Sequence, residues 1–379
     1  MSSLSRRQWL QSGALATLAL PFGAWTPNRP RPLAPFEPEA AEPIRLNANE
    51  NPYGPSEKAK LAIVEALSRG NRYQHALRDR LKQAIAEREG LGSENVLLGA
   101  GSLEILYHLG THLGRQKAQI LSADLTYRAL PRYVEHLGGT WQKVVLDGDQ
   151  RFDLEGMERA LRDPVDLVYL VNPNNPTGTT LPTDQLRDFC KKQSPRQHLL
   201  IDEAYIEYLP NGTQQSMARL VRDHPQLMVS RTFSIVRRCC AGMRIGYLLA
   251  HASTIEVLRR YSTYELSVSA SSLAAALASL EDTNFQDLTR TQTAAANAQF
   301  CAQLRKWGIP HTPSQTSFVL FAVDPFIQGG ADLGDAFEAA GIVCRPFPRD
   351  QPQWCRMTMG REEEMAAVVE VLRGLRGGR

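Results

Sequence analysis

The stretch Leu199-Leu200-Ile201-Asp202-Glu203-Ala204-Tyr205 is a short apolar run that ends in two acidic residues. Similar apolar runs recur along the chain and alternate with segments of helical periodicity. This alternation predicts an α/β fold with a mainly parallel sheet that helices cover on both faces. Ligands of such sheets bind beyond the carboxyl ends of the strands, which is where Asp202 stands. The predicted strands are residues 95–98, 119–121, 141–145, 167–171, 199–201, 227–229 and 245–249.

The composition is that of a globular protein with a large core. The chain has 379 residues and a formal net charge of +3, and its basic residues are scattered. Such a distribution argues against a nucleic-acid surface. The six cysteines show neither paired spacing nor a Cys-x-x-Cys motif, which favours buried free thiols over a disulfide framework or a zinc site. We therefore expect small-molecule partners and no bound metal.

The N-terminus has the pattern of a twin-arginine export signal. Ser5-Arg6-Arg7-Gln8-Trp9-Leu10 precedes a mildly apolar run over residues 13–20, which is too short for a stable membrane span. We predict a signal peptide over residues 1–28 and export of the folded protein to the periplasm. The location would be cytoplasmic if the signal is not used.

The remaining chain divides into three predicted parts. Residues 29–76 form an N-terminal arm and a loop that joins the small domain. Residues 77–282 contain the strand and helix alternation and form the large domain. A long helical pattern from Thr283 opens the small C-terminal α/β domain, which we place at residues 283–379.

A glycine-rich turn follows the first predicted strand of the large domain. In Gly99-Ala100-Gly101-Ser102-Leu103-Glu104, free backbone N–H groups and the Ser102 hydroxyl are suited to a phosphate, although a plain tight turn has the same pattern. Glu104 stands where a dinucleotide-binding motif has its third glycine, which argues against a dehydrogenase.

Two further motifs close buried strands with polar residues. Val171-Asn172-Pro173-Asn174-Asn175-Pro176-Thr177-Gly178 contains two Asn-Pro steps, which favour an extended, ordered turn. Asp202 ends the next strand, where burial of an acid is costly without a cationic partner. A protonated pyridine nitrogen would supply that partner.

From about Arg45 to Leu375 the chain resembles the fold type I, class I/II pyridoxal-phosphate aminotransferases, and most closely the histidinol-phosphate aminotransferase-like enzymes. The resemblance rests on five motifs in the family's order: Asn-Glu-Asn-Pro-Tyr-Gly, Asn-Pro-Asn-Asn-Pro-Thr-Gly, Asp-Glu-Ala-Tyr-Ile-Glu, Ser-Arg-Thr-Phe-Ser and Gly-Met-Arg-Ile-Gly-Tyr. It implies a homodimer that binds pyridoxal 5'-phosphate and exchanges amino groups between an amino acid, or a histidinol-phosphate-like amine, and a 2-oxo acid.

The resemblance also implies roles for individual residues. Asp202 would pair with the pyridinium nitrogen, and Asn175 and Tyr205 would hydrogen-bond the phenolic oxygen of the cofactor. Asp202 and Tyr205 are thus the predicted catalytic residues. Tyr127 would stack on the ring, and Arg356 would hold the substrate carboxylate with its two-pronged donor face. Around the phosphate the resemblance implies Gly101, Ser102, Leu103, Thr232, Ser234 and Arg244, with Tyr73 reaching the phosphate of the neighbouring subunit.

One family residue is missing from this sequence. The family's Thr-x-Ser is followed by the lysine that holds the cofactor covalently, whereas Ser234 is followed by Ile235. Counting back from Arg244 leads to Val236 instead, and no lysine occurs between residues 195 and 305. A guanidinium stays protonated, so the arginines at positions 237 and 238 cannot replace a lysine. Three explanations remain open: a cofactor-binding pseudoenzyme, a different base, or a sequence error or damaged gene.

Overall fold

Short apolar runs followed by amphipathic segments give the chain a layered α/β architecture. A computed structural model describes residues 42–163, 165–234, 241–262, 265–323, 333–347 and 354–377. The predicted signal peptide and Ile235 lie outside these residues. No helix within the described ranges is long and apolar enough to cross a membrane.

The strands and helices are numbered in chain order. The strands are β1 (Ile44–Arg45), β2 (Val96–Gly99), β3 (Gln119–Ala123), β4 (Thr140–Val144), β5 (Leu167–Val171), β6 (Leu199–Asp202), β7 (Leu227–Thr232), β8 (Gly246–Leu249), β9 (Phe318–Ala322), β10 (Ile342–Val343), β11 (Arg345–Pro346) and β12 (Trp354–Thr358). The helices are α1 (Glu57–Leu67), α2 (His75–Glu89), α3 (Ser102–Gly114), α4 (Ala129–His136), α5 (Leu154–Ala160), α6 (Thr183–Gln193), α7 (Gly212–Gln215), α8 (Ala252–Arg259), α9 (Ala270–Glu281), α10 (Thr283–Lys306), α11 (Leu333–Ala339) and α12 (Glu362–Gly377).

The large sheet has the strand order β2-β8-β7-β6-β5-β3-β4. Strands β4, β3, β5, β6 and β7 run parallel, and β8 is antiparallel to both of its neighbours. The register pairs Val171 with Asp202 and Asp202 with Ser230, so the carboxyl ends of β5, β6 and β7 meet at one edge. This confirms the predicted fold class, and each predicted strand is present with ends that differ by a few residues.

Two smaller sheets contain the C-terminal strands. Strands β11, β12 and β9 form an antiparallel sheet, in which Arg345 lies directly opposite Arg356. Strand β10 pairs in parallel with β1 near the start of the described chain, with Ile44 opposite Ile342. The loop after β1 is therefore held beside the C-terminal strands, which are far from it in sequence.

The described residues contain two large hydrophobic clusters. One is built from residues between Leu81 and Leu280, and the other combines Leu46 with residues between Phe300 and Leu372. The domain boundaries given above remain a prediction, since the residues from Pro43 onward form one compact unit. Ser56 caps α1, because its side chain accepts a hydrogen bond from the backbone N–H of Ala59.

Candidate active site

A cavity of about 850 Å³ lies at the carboxyl ends of the parallel strands. Val171, Asp202 and Thr232, which end β5, β6 and β7, all line it. The structure brings together in its wall most of the residues selected from the sequence, namely Ser102, Leu103, Tyr127, Asn175, Asp202, Tyr205, Thr232, Ser234, Arg244 and Arg356. Gly101 adjoins this group at the start of α3, whereas Tyr73 is 78% exposed and does not line the cavity.

Asp202 is a buried carboxylate at the floor of the cavity. It accepts hydrogen bonds from the backbone N–H of Ala204 and from the Tyr169 hydroxyl, at 3.1 and 3.2 Å. It has no salt-bridge partner among the described residues. Burial raises the pKa of Asp202 from 3.8 to about 6, against the opposing effect of these hydrogen bonds. The site therefore presents a negative charge that a bound cation would stabilise.

The hydroxyl of Tyr205 stands between two asparagine side chains. It accepts a hydrogen bond from Asn49 Nδ2 at 2.7 Å and another from Asn175 Nδ2 at 3.3 Å. A phenol that accepts two hydrogen bonds keeps its own O–H for a third partner. Burial raises the pKa of Tyr205, so the hydroxyl is protonated at neutral pH and can act as a donor toward a ligand.

Arg356 extends from β12 into the opposite wall and is 5% exposed. Its Nη1 donates to Asn175 Oδ1 at 2.7 Å, and its Nη2 donates to the carbonyl oxygen of Asn47 at 2.6 Å. Its Nε has no partner among the described residues. Burial lowers the pKa of this guanidinium. A buried cation with an unused N–H group is suited to an anionic ligand.

Close backbone approach shapes the other end of the cavity. Gly101 has a φ of +84°, and a Cβ atom there would lie 2.4 Å from Arg244 Nη2. A Cβ atom on Gly246 would lie 2.3 Å from the backbone nitrogen of Ser102, the first residue of α3. Because neither glycine has a Cβ atom, the guanidinium of Arg244 and the N-terminus of α3 can both lie close to the backbone at this end of the cavity. The combination of helix N–H groups and a guanidinium is an anion-binding arrangement.

Hydroxyl groups complete this anion-binding end. Thr232 Oγ1 donates to Ser234 Oγ at 2.9 Å and accepts from the backbone N–H of Ser234 at 3.1 Å. Tyr127 lines the same cavity as Asp202 and Arg244. Burial, with a smaller contribution from Asp202, raises the pKa of Tyr127 to about 12, which keeps its ring neutral.

No lysine lines the cavity. The lysines of the chain are Lys58, Lys60, Lys82, Lys117, Lys143, Lys191, Lys192 and Lys306, and the structure describes all of them. Lys82, for example, forms a buried salt bridge with Glu265 at 3.1 Å. Residues 235–240, which follow Ser234, contain no lysine either. The chain therefore offers this cavity no primary amine from a lysine side chain.

The structure adds residues that the sequence did not single out. Asn49 contacts Tyr205 and belongs to one of the five motifs quoted above, and Tyr169 contacts Asp202. Beneath the site, Arg231 is enclosed by the carboxylates of Glu89 and Glu203, at 2.7 and 3.0 Å. The signal for this cluster in the sequence is an arginine two residues after the apolar strand predicted at residues 227–229.

Comparison with known proteins agrees with this geometry. The profile of the family described as "Aminotransferase class I and II" matches residues 41–372. The chain is 33% identical over 338 residues to "Histidinol-phosphate aminotransferase 2" of Ralstonia nicotianae, covering 89% of this chain and 90% of that protein. It is 32% identical over 360 residues to "Histidinol-phosphate aminotransferase 1" of Bradyrhizobium diazoefficiens, covering 93% and 99%.

A solved structure supports the same grouping. The crystal structure of histidinol-phosphate aminotransferase from Sinorhizobium meliloti in complex with pyridoxal-5'-phosphate superposes with a TM-score of 0.73 at 26% identity, covering 88% of this chain and 92% of that one. The fold is that of the fold type I transferases, a family of enzymes that depend on pyridoxal phosphate. The chain belongs to the class I and II aminotransferase family, as its motifs indicated.

Proposed function

We propose that the cavity binds pyridoxal 5'-phosphate and that the chain exchanges amino groups between an amino acid, or a histidinol-phosphate-like amine, and a 2-oxo acid. The observation that carries this proposal is the buried carboxylate of Asp202, which lacks a cationic partner among the described residues. A protonated pyridine ring is a cation of the size and chemistry that this position would stabilise. When bound, the cofactor supplies an electron sink for the substrate carbon.

Each end of the cavity then has a defined task toward the cofactor. Asp202 would hold the ring nitrogen in its protonated form, and the Tyr205 hydroxyl would donate to the phenolic oxygen. The N–H groups at the start of α3 and the guanidinium of Arg244 would hold the phosphate. Tyr127, which lines the same cavity, would stack on the ring. Gly101 and Gly246 permit this close approach of Arg244 and the N-terminus of α3, and for this reason the residues of the cavity fit the phosphate of the cofactor.

Arg356 is the proposed anchor for the α-carboxylate or equivalent anion of the substrate. Its unpartnered Nε and its burial favour a ligand carboxylate over water, since charge-assisted hydrogen bonds strengthen when desolvated. Asn47 and Asn175 accept hydrogen bonds from the other two nitrogens and so orient the plane of the guanidinium. Substrate binding would thus give a partner to Nε, the nitrogen of this guanidinium that has none among the described residues.

A second candidate function follows from the absence of lysine from the residues that line the cavity. Amino-group exchange requires a base that moves a proton at the substrate carbon, and the family uses a lysine amine. Every lysine of this chain lies away from the cavity. We therefore infer that, as encoded, the chain holds the cofactor, or the cofactor joined to an amino acid, without covalent attachment. The transaminase and the cofactor-binding pseudoenzyme differ in whether a lysine amine is present in the cavity.

Absorbance and borohydride reduction distinguish the two candidates. Purified protein is mixed with pyridoxal phosphate, its visible spectrum is recorded, and borohydride-treated protein is analysed by mass spectrometry. Cofactor fixed to a side chain would support the transaminase, whereas bound cofactor that borohydride never fixes would support the pseudoenzyme. Absence of any binding would contradict both.

Two lysine variants refine this experiment. Ile235→Lys restores an amine directly after Ser234, and Val236→Lys is the matched control that restores it at the position counted back from Arg244. Covalent attachment and amino-transfer in one variant alone identifies the equivalent position. If neither gains attachment while cofactor still binds, the segment has diverged beyond one side chain. Resequencing the gene tests the error explanation, because an intact isoleucine codon at 235 excludes it.

We also propose that the chain is a homodimer in which Tyr73 reaches the partner's site. Helix α1 exposes Leu61, Val64 and Leu67, each about two-thirds exposed, and Tyr73 follows at 78% exposure. Clustered exposed apolar side chains are a common mark of a protein interface. Sedimentation of Leu61→Asp/Val64→Asp should show dissociation, whereas the exposed control Val145→Asp should sediment as the unaltered protein does. A monomeric unaltered protein would contradict this proposal.

The twin-arginine pattern supports export to the periplasm. Cell fractionation of the full chain tests this proposal, with Arg6→Lys/Arg7→Lys as the signal variant. We expect periplasmic protein from the unaltered sequence and cytoplasmic protein from the variant. Equal cytoplasmic location of both would indicate that the signal is not used.

A further inference from the structure

Two cysteines lie on one face of the small antiparallel sheet. The register of β11 and β12 sets Pro346 opposite Cys355, and residues opposite each other in an antiparallel pair project to the same face. Side chains alternate along a strand, so Cys344, which directly precedes β11, is directed to that face as well. Both cysteines belong to the hydrophobic cluster that contains Leu46, where Cys355 is fully buried and Cys344 is partly buried. The two thiols therefore share one environment.

The side chains of the two cysteines are also in direct contact. Cys344 and Cys355 share a hydrogen bond, and Sγ of Cys355 accepts another from the backbone N–H of Arg345, the residue bonded to Cys344. The contact with Cys344, together with burial, raises the pKa of the Cys355 thiol. A disulfide joins cysteines whose Cα atoms are about 4.4–6.8 Å apart. A sulfur held against the peptide group that follows Cys344 lies within reach of such a bond.

Two other cysteines of the described chain have different surroundings. Cys190 on α6 belongs to the hydrophobic cluster of the large sheet, and Cys301 on α10 donates a hydrogen bond to Asn297 Oδ1 at 3.3 Å. Burial raises the pKa of both thiols, and within the described ranges no second thiol contributes to either shift. Cys190 and Cys301 are therefore internal controls for the pair formed by Cys344 and Cys355.

We propose that Cys344 and Cys355 form a redox-active pair, which a small disulfide oxidant converts into a disulfide that links β11 to β12 and stabilises the small sheet. The inference does not depend on the proposed function. Each cysteine directly precedes an arginine, Arg345 or Arg356, and both arginines line the cavity. The disulfide would therefore restrain the backbone from which these two arginines extend.

Thiol–disulfide exchange achieves this oxidation in two balanced steps. The partly exposed Cys344, as its thiolate, attacks one sulfur of oxidised glutathione, and one glutathione thiolate leaves. The Cys355 thiol then loses its proton, attacks Sγ of Cys344 and expels the second glutathione. Two protein thiols are oxidised and one glutathione disulfide is reduced to two thiols, which take up the two protons. The periplasm, to which the proposed export would carry the chain, is an oxidising compartment in which such disulfides persist.

Oxidation of the native, full-length protein tests the pair. Reduced protein is freed of reductant, incubated with oxidised glutathione without denaturant, then alkylated under denaturing conditions and analysed by peptide mass spectrometry. We expect a cross-link between Cys344 and Cys355, while Cys190 and Cys301 are alkylated. The inference would be overturned if Cys344 and Cys355 were both alkylated, if glutathione stayed on Cys344, or if Cys344 were cross-linked to another cysteine.

Serine variants and thermal unfolding test the effect of the bond. Cys344→Ser should abolish the cross-link, while the matched control Cys301→Ser should form it as the unaltered protein does. Oxidised protein should melt at least about 2 °C above reduced protein, because the closed loop restricts the unfolded chain. Cys344→Ser should lose this difference. It is a substitution at a partly buried position, so it is informative even if Cys355→Ser does not fold. A cross-link that leaves the melting temperature unchanged or lowers it would contradict a stabilising disulfide.

Discussion

Arg356 Nη1 donates a hydrogen bond to Asn175 Oδ1 over 2.7 Å, which joins β12 of the small sheet to the turn after β5. The amide nitrogen of the same asparagine donates to the Tyr205 hydroxyl. One side chain thus connects the proposed substrate anchor with the proposed cofactor donor. Because its amide oxygen and nitrogen are both committed, Asn175 fixes the positions of both partners at once.

Arg356→Lys is expected to weaken binding of carboxylate ligands by roughly tenfold to a hundredfold. An ammonium group cannot hold Asn175, Asn47 and a ligand together in the planar geometry of a guanidinium. Titration with pentanoate measures the loss, and the absorbance of bound cofactor serves as the internal control. Unchanged pentanoate affinity would show that the carboxylate binds elsewhere.

The raised pKa of Asp202 predicts that the free energy of unfolding of the cofactor-free protein falls as pH rises. Its pKa in the folded chain is raised to about 6, so the folded state binds a proton more tightly than the unfolded state. Ionisation of Asp202 destabilises the folded protein. This destabilisation is absent below the pKa of Asp202 in the unfolded chain, develops as pH rises and is complete above about pH 6. By the usual conversion it amounts to on the order of 3 kcal/mol.

Asp202→Asn should remove this dependence, which unfolding by urea between about pH 4 and pH 8 would measure. The amide oxygen can still accept the hydrogen bond that Oδ1 accepts from the backbone N–H of Ala204, and the amide NH2 group in the place of Oδ2 can donate to the hydroxyl oxygen of Tyr169. The variant should therefore be more stable than the unaltered protein at the alkaline end of this range, while its affinity for pyridoxal phosphate falls. Equal pH profiles for the two proteins would mean that Asp202 does not titrate in this range.

Much of the sheet could be predicted because its buried strands are continuous apolar runs, which turn-forming residues separate. Asp202 and Asn175 were predictable for the same reason, since polar residues that end buried strands lie at one edge of the sheet. The contacts of Asn47 and Asn49 were not predictable from spacing. They join an irregular loop to residues as far as 309 positions away, and only tertiary packing sets such contacts.

The arginines of α4 show another limit of sequence reasoning. Arg128 and Arg132 have the spacing of an ordinary solvated helix face, and helical periodicity does not state which neighbour that face meets. Only the three-dimensional structure shows that they line the same cavity as Arg345. The lysine missing after Ser234 is visible in the sequence, whereas the position of the chain's lysines outside the cavity depends on the fold.

Gly101→Ala should weaken phosphate binding more than it weakens the fold. A Cβ atom would occupy the space of the Arg244 guanidinium, which can move away because it ends a flexible side chain. With a φ of +84° and a ψ of 158°, Gly101 lies in a backbone region that is essentially restricted to glycine, so a Cβ atom adds strain of about 1–3 kcal/mol. Affinity for inorganic phosphate and for pyridoxal phosphate can be measured by calorimetry and absorbance.

Gly148→Ala is the matched control, because a Cβ atom there has no neighbour within 4 Å. It should leave both affinities unchanged. If Gly101→Ala retains full affinity for phosphate, Arg244 does not need its present position to bind this group.

Arg231 is the side chain whose replacement should destabilise the folded protein most severely. It is 2% exposed, and its guanidinium contacts Glu89, Glu203 and the Ser216 hydroxyl. Arg231→Met would leave two buried carboxylates without a cation, which costs about 3–5 kcal/mol of unfolding free energy. The loss should shrink as pH falls, because burial already raises the pKa of Glu203 and protonation removes the uncompensated charge.

The triple variant Arg231→Met/Glu89→Gln/Glu203→Gln separates charge from packing. It removes the cation and both carboxylates together, so no isolated charge remains buried, and urea unfolding should recover a large part of the lost stability. Since Glu203 directly follows Asp202, recovery of stability without recovery of cofactor affinity would show that the charged cluster also positions the floor of the site. A triple variant as unstable as Arg231→Met alone would mean that the hydrogen bonds to Ser216 and Met217, rather than charge balance, stabilise this region.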